Sequence, residues 1–159
     1  MSVCARIIFF AVFLAAGCGA SADRNRVCLE AACYDVEVAG TYGERTRGLQ
    51  GRERLADEAG MLFVFVNSAP HGFWMKDTLI PLDMIWLDHA RRVVHIETDV
   101  PPCRTPKCPS YVPSAPALYV LELNAGEVAQ KGIALGQEAK FELDAYLSRA
   151  SVSQNSNHQ

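Results

Sequence analysis

The sequence predicts a mainly β protein: a single compact antiparallel β-barrel or sandwich domain with two short helices. Three observations lead there. Short apolar or alternating runs recur at close intervals, separated by Gly, Pro, Asn and Asp turn signals. Only two segments carry helix-start chemistry, so no regular strand–helix alternation builds a doubly wound sheet. With 159 residues, 50% of them hydrophobic and 21% charged, the chain can bury one core and is too apolar for wholesale disorder.

The elements follow in order. Residues 1–17 read as a secretion signal, with Arg6, the apolar run Ile7 to Leu14, and Ala15-Ala16-Gly17 ahead of Cys18. The run is too short for a permanent membrane span. Its small-small-Cys ending resembles a lipobox, which makes Cys18 the expected acylation site and a lipid the expected anchor. Residues 18–26 then form a tether, 27–147 the domain, and 148–159 a polar, disordered tail. Gly19 and Ala20 are not an inner-membrane retention pattern. The expected location is the cell envelope, on the periplasmic face of the outer membrane in a Gram-negative host.

Within the domain, Tyr34 to Ala39 alternates apolar and acidic residues, the period of a strand with one wet face. Thr41 with Glu44 makes a capping box, so a short helix starts there and stops near Gly48 or Gly51. Met61 to Val66 is an unbroken apolar strand, expected to be buried on both faces. Gly72 to Lys76 and Asp83 to Leu87 are two more strands, and Asp88 to Arg91 turns into a strand from Arg92 to Glu97. Six of the eight prolines fall between Pro101 and Pro116, which predicts a long ordered loop there. Leu118 to Leu123 resumes as a strand, Asn124 and Glu127 start a helix ending at Gly132, and Lys140 to Leu143 is the last strand.

Once the signal leaves with Cys4 and Cys18 is acylated, Cys28, Cys33, Cys103 and Cys108 remain as two local pairs with four-residue gaps. In an oxidising compartment, local disulfides across small turns are the expectation, and a four-Cys zinc site is the alternative. Each bridge closes a small loop, stabilising by about 2 kcal/mol in the chain-entropy picture.

The net charge of −3 and the lack of a basic block argue against nucleic acid as a partner. The expected partners are the membrane, through the anchor, and a small ligand or protein. No cofactor and no metal is implied. His95 and Glu97 share a strand face but suggest no third ligand, and Met61, Met75 and Met84 near His71 read as core packing. Ser68 and His71 lie three apart on a turn, which is no catalytic signature, and no catalytic residue is assigned.

Several runs together are similar to one known family, domain-of-unknown-function family 192. They are Val36 to Ala39, Glu44-Arg45 with Arg47-Gly48-Leu49 and Gly51-Arg52, and Gly60 to Phe65. Phe73-Trp74-Met75-Lys76 follows, leading through Thr78-Leu79-Ile80-Pro81-Leu82-Asp83 to Ile85, then Tyr119 to Gly126. Order and spacing agree from about Tyr34 to Leu143. Gln50 and Asp77 depart from the usual Met and Asn. The resemblance implies a β-barrel-like fold, often exported, and no established reaction. It also implies that the Cys pair in the Pro-rich loop is a bridge, as in exported members.

The most distinctive stretch supplies the candidate ligand site: Trp74, Lys76, Thr78 and Asp83, joined by Glu122 and Asn124 from a later strand. An aromatic beside an amine, a hydroxyl and carboxylates is the equipment of a small polar-ligand site. The bland alternative is a buried Lys76–Asp83 pair fixing strand ends, with Trp74 in the core. Arg45 and Arg52, with Arg47, form a weaker candidate for anion binding, against a role as surface partners of Glu37, Glu44, Asp57 or Glu58. The expected activity is non-catalytic binding of a small polar or saccharide-like ligand, or of a partner protein. A hydrolase using Asp83 or Glu122 as general base, and a purely structural envelope component, are the alternatives.

Overall fold

The computed structural model describes residues 24–30 and 32–146. The expected signal segment, the expected acylation site Cys18 and the expected tail over 148–159 lie outside the described residues. β1 (Asn25–Leu29) and β2 (Ala32–Ala39) form a hairpin in which Cys28 stands directly opposite Cys33, and a disulfide joins them. Glu30 takes the turn with φ of 50°. The sheet therefore begins inside the stretch expected to be tether. Arg26 is fixed there at 3.0 Å from Asp35.

α1 (Tyr42–Arg47) starts as the sequence predicts, with Thr41 and Glu44 completing a reciprocal capping box. It stops at Gly48, whose φ of 45° a residue with a Cβ tolerates poorly. β3 (Ala59–Ala69) then returns alongside β2 in parallel, with Val36 beside Gly60 and Val38 beside Leu62. This corrects the wholly antiparallel expectation. The α1 crossover carries the chain back to the starting edge, and a parallel pair needs such a connection. β3 is buried on both faces only as far as Phe63, and Val66 is fully in solvent.

β4 (Phe73–Trp74) is shorter than the predicted strand and pairs with β7 (Ser110–Tyr111), which lies inside the Pro-rich loop. β5 (Leu82–Leu87), β6 (Val93–Val100) and β8 (Ala117–Asn124) complete the centre of the sheet. α2 (Glu127–Lys131) and β9 (Ala139–Leu143) follow. The large sheet runs β6-β5-β8-β3-β2-β1-β9. It does not close into a barrel. Its two edges meet at one end only, through a bridge between Arg92 and Glu138 and bonds such as Val93 N–H to Gln137 O at 2.9 Å.

Both faces of the sheet are covered, which is why its central strands read as continuous apolar runs. The inner face carries Leu62, Ile85, Leu87, Leu121 and Leu123 with Tyr34, closed by Val128 and Ile133 around α2. The outer face carries Met61, Phe63, Met84, Trp86 and Val120, covered by Leu49, Met75 and Phe73 from the connecting segments. The second disulfide, Cys103–Cys108, pins the Pro-rich loop, and Cys103 N–H donates to Met75 O at 3.3 Å. Both local pairings are therefore disulfides rather than zinc ligands.

Candidate functional site

The candidate site lies on the outer face, where the sheet is incompletely covered. Between β3 at Val64 and Ala69 the register slips against β8, so Phe65 to Ser68 bulge away from the ladder. Bulges of this kind re-aim side chains and concentrate near functional sites. Here the bulge, the exit of α1 and the segment 71–78 enclose a cleft of about 510 Å3. Phe63, Phe65, Phe73 and Trp74 form an aromatic wall, and Thr78 and Glu122 supply polar groups at depth.

The wall is ordered by edge contacts. Phe73 stands edge-on to Phe63 at 4.8 Å and to Trp86 at 5.8 Å between centroids, and His71 stacks on Phe65 at 3.6 Å. His71 is itself held, since its carbonyl accepts from Trp86 Nε1 at 2.9 Å. Trp74 is half exposed at the mouth, alongside the exposed Tyr42 and Val66.

Glu122 is the anomaly. It sits on β8 directly between Met61 of β3 and Met84 of β5, and only 4% of it is exposed. No described side chain forms an ion pair or a hydrogen bond with its carboxyl group. Burial among apolar neighbours pushes its pKa up to about 8, so the group is mainly protonated at neutral pH. Thr78 shares this depth, 5% exposed.

The residues singled out in the sequence separate. Trp74, Thr78, Glu122 and Arg45 line the cleft. Lys76 lies outside it, exposed, with its ammonium 5.8 Å from the Trp74 ring. Asp83 is fully buried on the opposite face, where one carboxylate oxygen accepts from Asp99 N–H and the other from Val128 N–H, both at 2.8 Å. The Lys76–Asp83 pair does not form, because alternate residues of β5 face opposite sides and Asp83 falls on the inner one. Asn124 donates to the carbonyls of Leu55 and Ala56 and does not cap α2, whose N-cap is Gly126.

Arg45 donates to the carbonyls of Gly40 and Val64 and lies 5.1 Å above the Phe65 ring. Arg52 pairs with Glu37 at 2.6 Å in a larger groove of about 710 Å3 along β2 and β3. In that groove Arg24 stands by Asp35 and Arg52 by Glu37, so these charges neutralise one another and leave little to recognise a ligand. Arg47 reaches both the groove and the cleft.

Sequence reasoning missed Phe63, Phe65, Phe73 and His71 as site residues, since an aromatic inside an apolar run signals core. The polar Asn67-Ser68 ending of that run was the available hint that the strand bulges there. A second cluster, with His95 Nε2 at 3.1 Å from Glu97 and Nδ1 at 3.5 Å from Ser114 Oγ, is exposed at the serine and sits in none of the three main concavities. Among the described residues no group of three or more His, Cys, Asp or Glu is gathered to hold a metal ion.

Comparison with known proteins places the fold. The DUF192 family, described as "Uncharacterized ACR", matches residues 25–141. A crystal structure of a protein of unknown function from Novosphingobium aromaticivorans superimposes with a TM-score of 0.67 at 33% identity, over 74% of this chain and 83% of that one. A protein from Sinorhizobium meliloti, provisionally described as a transcription regulator, gives 0.65 at 31% identity, over 74% of this chain and 92% of that one. No protein of curated description matches.

Proposed function

The chain belongs to the DUF192 family, and from that premise we propose an exported, lipid-anchored envelope protein whose domain binds a small polar ligand in the Glu122 cleft. One observation carries the reading: a buried carboxyl group without a protein partner opens into a cleft walled by four aromatic side chains. The carboxyl group keeps its remaining access through the cleft, and a ligand that fills that space can supply the hydrogen-bond partner the protein does not. The half-exposed Trp74 gives the ring surface on which an apolar or sugar-like face can lie. Residues 1–17 and Cys18 support the export and anchoring parts of the proposal.

Native mass spectrometry of the protein extracted from its own host membranes tests the binding. A bound small molecule is expected on the wild type and absent from Trp74→Ala and Glu122→Gln; a bare mass for all three overturns the reading. Labelling with a radioactive fatty acid tests the anchor, and Cys18→Ala is expected to abolish incorporation.

The state of Glu122 favours one second reading, a hydrolase. A carboxyl group with a pKa near 8 beside open space is suited to proton transfer at neutral pH, as acid first and base second. Asp83 is unsuited to that role, since both oxygens are engaged by backbone amides on the other face. Turnover of a panel of ester and glycoside substrates that disappears in Glu122→Gln supports this reading.

A further inference from the structure

We propose that the Glu122 cleft takes an organic cation, an ammonium group of the alkyl or quaternary class, held between the aromatic wall and the Glu122 carboxylate. The inference rests on the cleft being a ligand site and assigns the chemical class of its occupant.

Three observations converge on positive charge. First, aromatic faces carry negative quadrupole charge, and four aromatic side chains line the same space as the carboxyl group. A ring cage with an acid at its base is the arrangement that recognises substituted ammonium ions in water. Second, the protein already lays cations on this wall, with Arg45 5.1 Å above Phe65 and Lys76 5.8 Å from Trp74. Third, no described basic side chain near the cleft pairs with Glu122, Arg47 included, although it lines the same space. Arg45 is committed to two backbone carbonyls and Arg52 to Glu37, while Lys76 stays outside the cleft. The protein thus provides a buried acid and withholds its counter-ion.

Binding then exchanges a proton for the ligand's charge. In the empty cleft burial keeps Glu122 protonated; an arriving ammonium ion stabilises the carboxylate, and the proton passes to solvent. Other charged groups bear on this exchange from each neighbouring element. Glu37 on β2, paired with Arg52, lies one strand beyond Met61, and Glu97 on β6, paired with His95, lies one strand beyond Met84. Arg45 and Arg47 face the cleft from α1 and His71 from the segment after β3, with Tyr42 at the rim. The Thr78 hydroxyl is the neutral acceptor at the same depth.

The full-length protein, purified in detergent, is titrated with tetramethylammonium, whose charge is independent of pH, and with neopentyl alcohol, its neutral counterpart in size. Isothermal titration calorimetry reports occupancy in every variant, and the indole signal of Trp74 in NMR spectra reports it wherever that ring is kept. Tetramethylammonium is expected to bind with an affinity that rises by up to about tenfold per pH unit below pH 8 and then levels off. Glu122→Gln should weaken it at least tenfold and remove the pH dependence. Trp74→Ala, at an exposed position, should weaken it with the pH dependence intact.

Equal binding of the alcohol, or ammonium binding that survives unchanged in Glu122→Gln, overturns the cation assignment. If glucose instead binds with dependence on Trp74 and Glu122, the cleft remains a ligand site and only the class is wrong. If no probe shifts the Trp74 signal and the host-purified protein carries nothing, the ligand-site reading fails with it.

Discussion

Asp83 and Glu122 occupy adjacent strands one step out of register, Asp83 opposite Leu123 and Met84 opposite Glu122, and that step decides their fates. Side chains alternate across a sheet, so Asp83 faces the inner core and Glu122 the outer one. At the inner face the amides of Asp99 and Val128 converge on Asp83 and make it a structural cap for α2. Removing it in Asp83→Ala leaves two amides without acceptors and is expected to cost on the order of 3 kcal/mol, measured by urea unfolding. A loss below about 0.5 kcal/mol would contradict the capping role.

At the outer face Glu122 has no such donors, and its stability effect takes the opposite sign. Its pKa rises from 4.5 to about 8 on folding, so its contribution is fully present below pH 4.5 and is lost as pH rises through 8. Glu122→Gln does not titrate. Its advantage over the wild type should therefore grow between pH 5 and 8, by up to about 1.4 kcal/mol per pH unit. Thermal unfolding across that range checks it, and a constant difference between the two proteins refutes it. The sequence shows two acids in apolar strands and cannot separate them. Their faces are defined only once their strand neighbours are known.

At the scale of elements, what was legible was local. The Thr41–Glu44 capping box states its helix start within four residues, and Cys28 and Cys33 flank a turn that brings them together. The start of α2 was misread because its cap is remote: Asp83 arrives from another strand, while Asn124, the local candidate, turns to Leu55 and Ala56. The short β4–β7 pair was hidden for a similar reason, one strand lying within a run of prolines.

The two disulfides should differ in consequence. Cys28–Cys33 duplicates a connection the hairpin already makes and lies far along the sheet order from β5 and β8. Its double Ser variant should lower the melting temperature and leave Trp74 in its native environment. Cys103–Cys108 ties the loop that bridges to Lys76, next to the cleft's rim. Its double Ser variant should disturb the Trp74 indole signal, and identical spectra for both variants would refute the distinction.

For the whole molecule, the sequence conveyed a mainly β domain and two helices, because each strand announces itself by its own run. It did not convey the parallel β2–β3 pair, which depends on where a crossover lands, or which segments cover the second face. A barrel was one of the two forms expected; what was not legible is where the sheet's ends approach, at Arg92 and Glu138 from opposite ends of the strand order. The Arg92–Glu138 ion pair itself is exposed and adds little; the backbone bonds around it do the joining. Amide hydrogen exchange should show Val93, Gly136 and Ala139 protected well above the unpaired edge of β6. Equal exchange would mean the seam is open in solution.

The division between the two faces has an evolutionary consequence. Leu62, Ile85 and Leu121 hold the sheet from within, while the cleft is walled by a bulge, a helix exit and a short connecting segment. Changes to those walls need not disturb the interior, so the scaffold can be inherited intact while its preferred guest is rewritten.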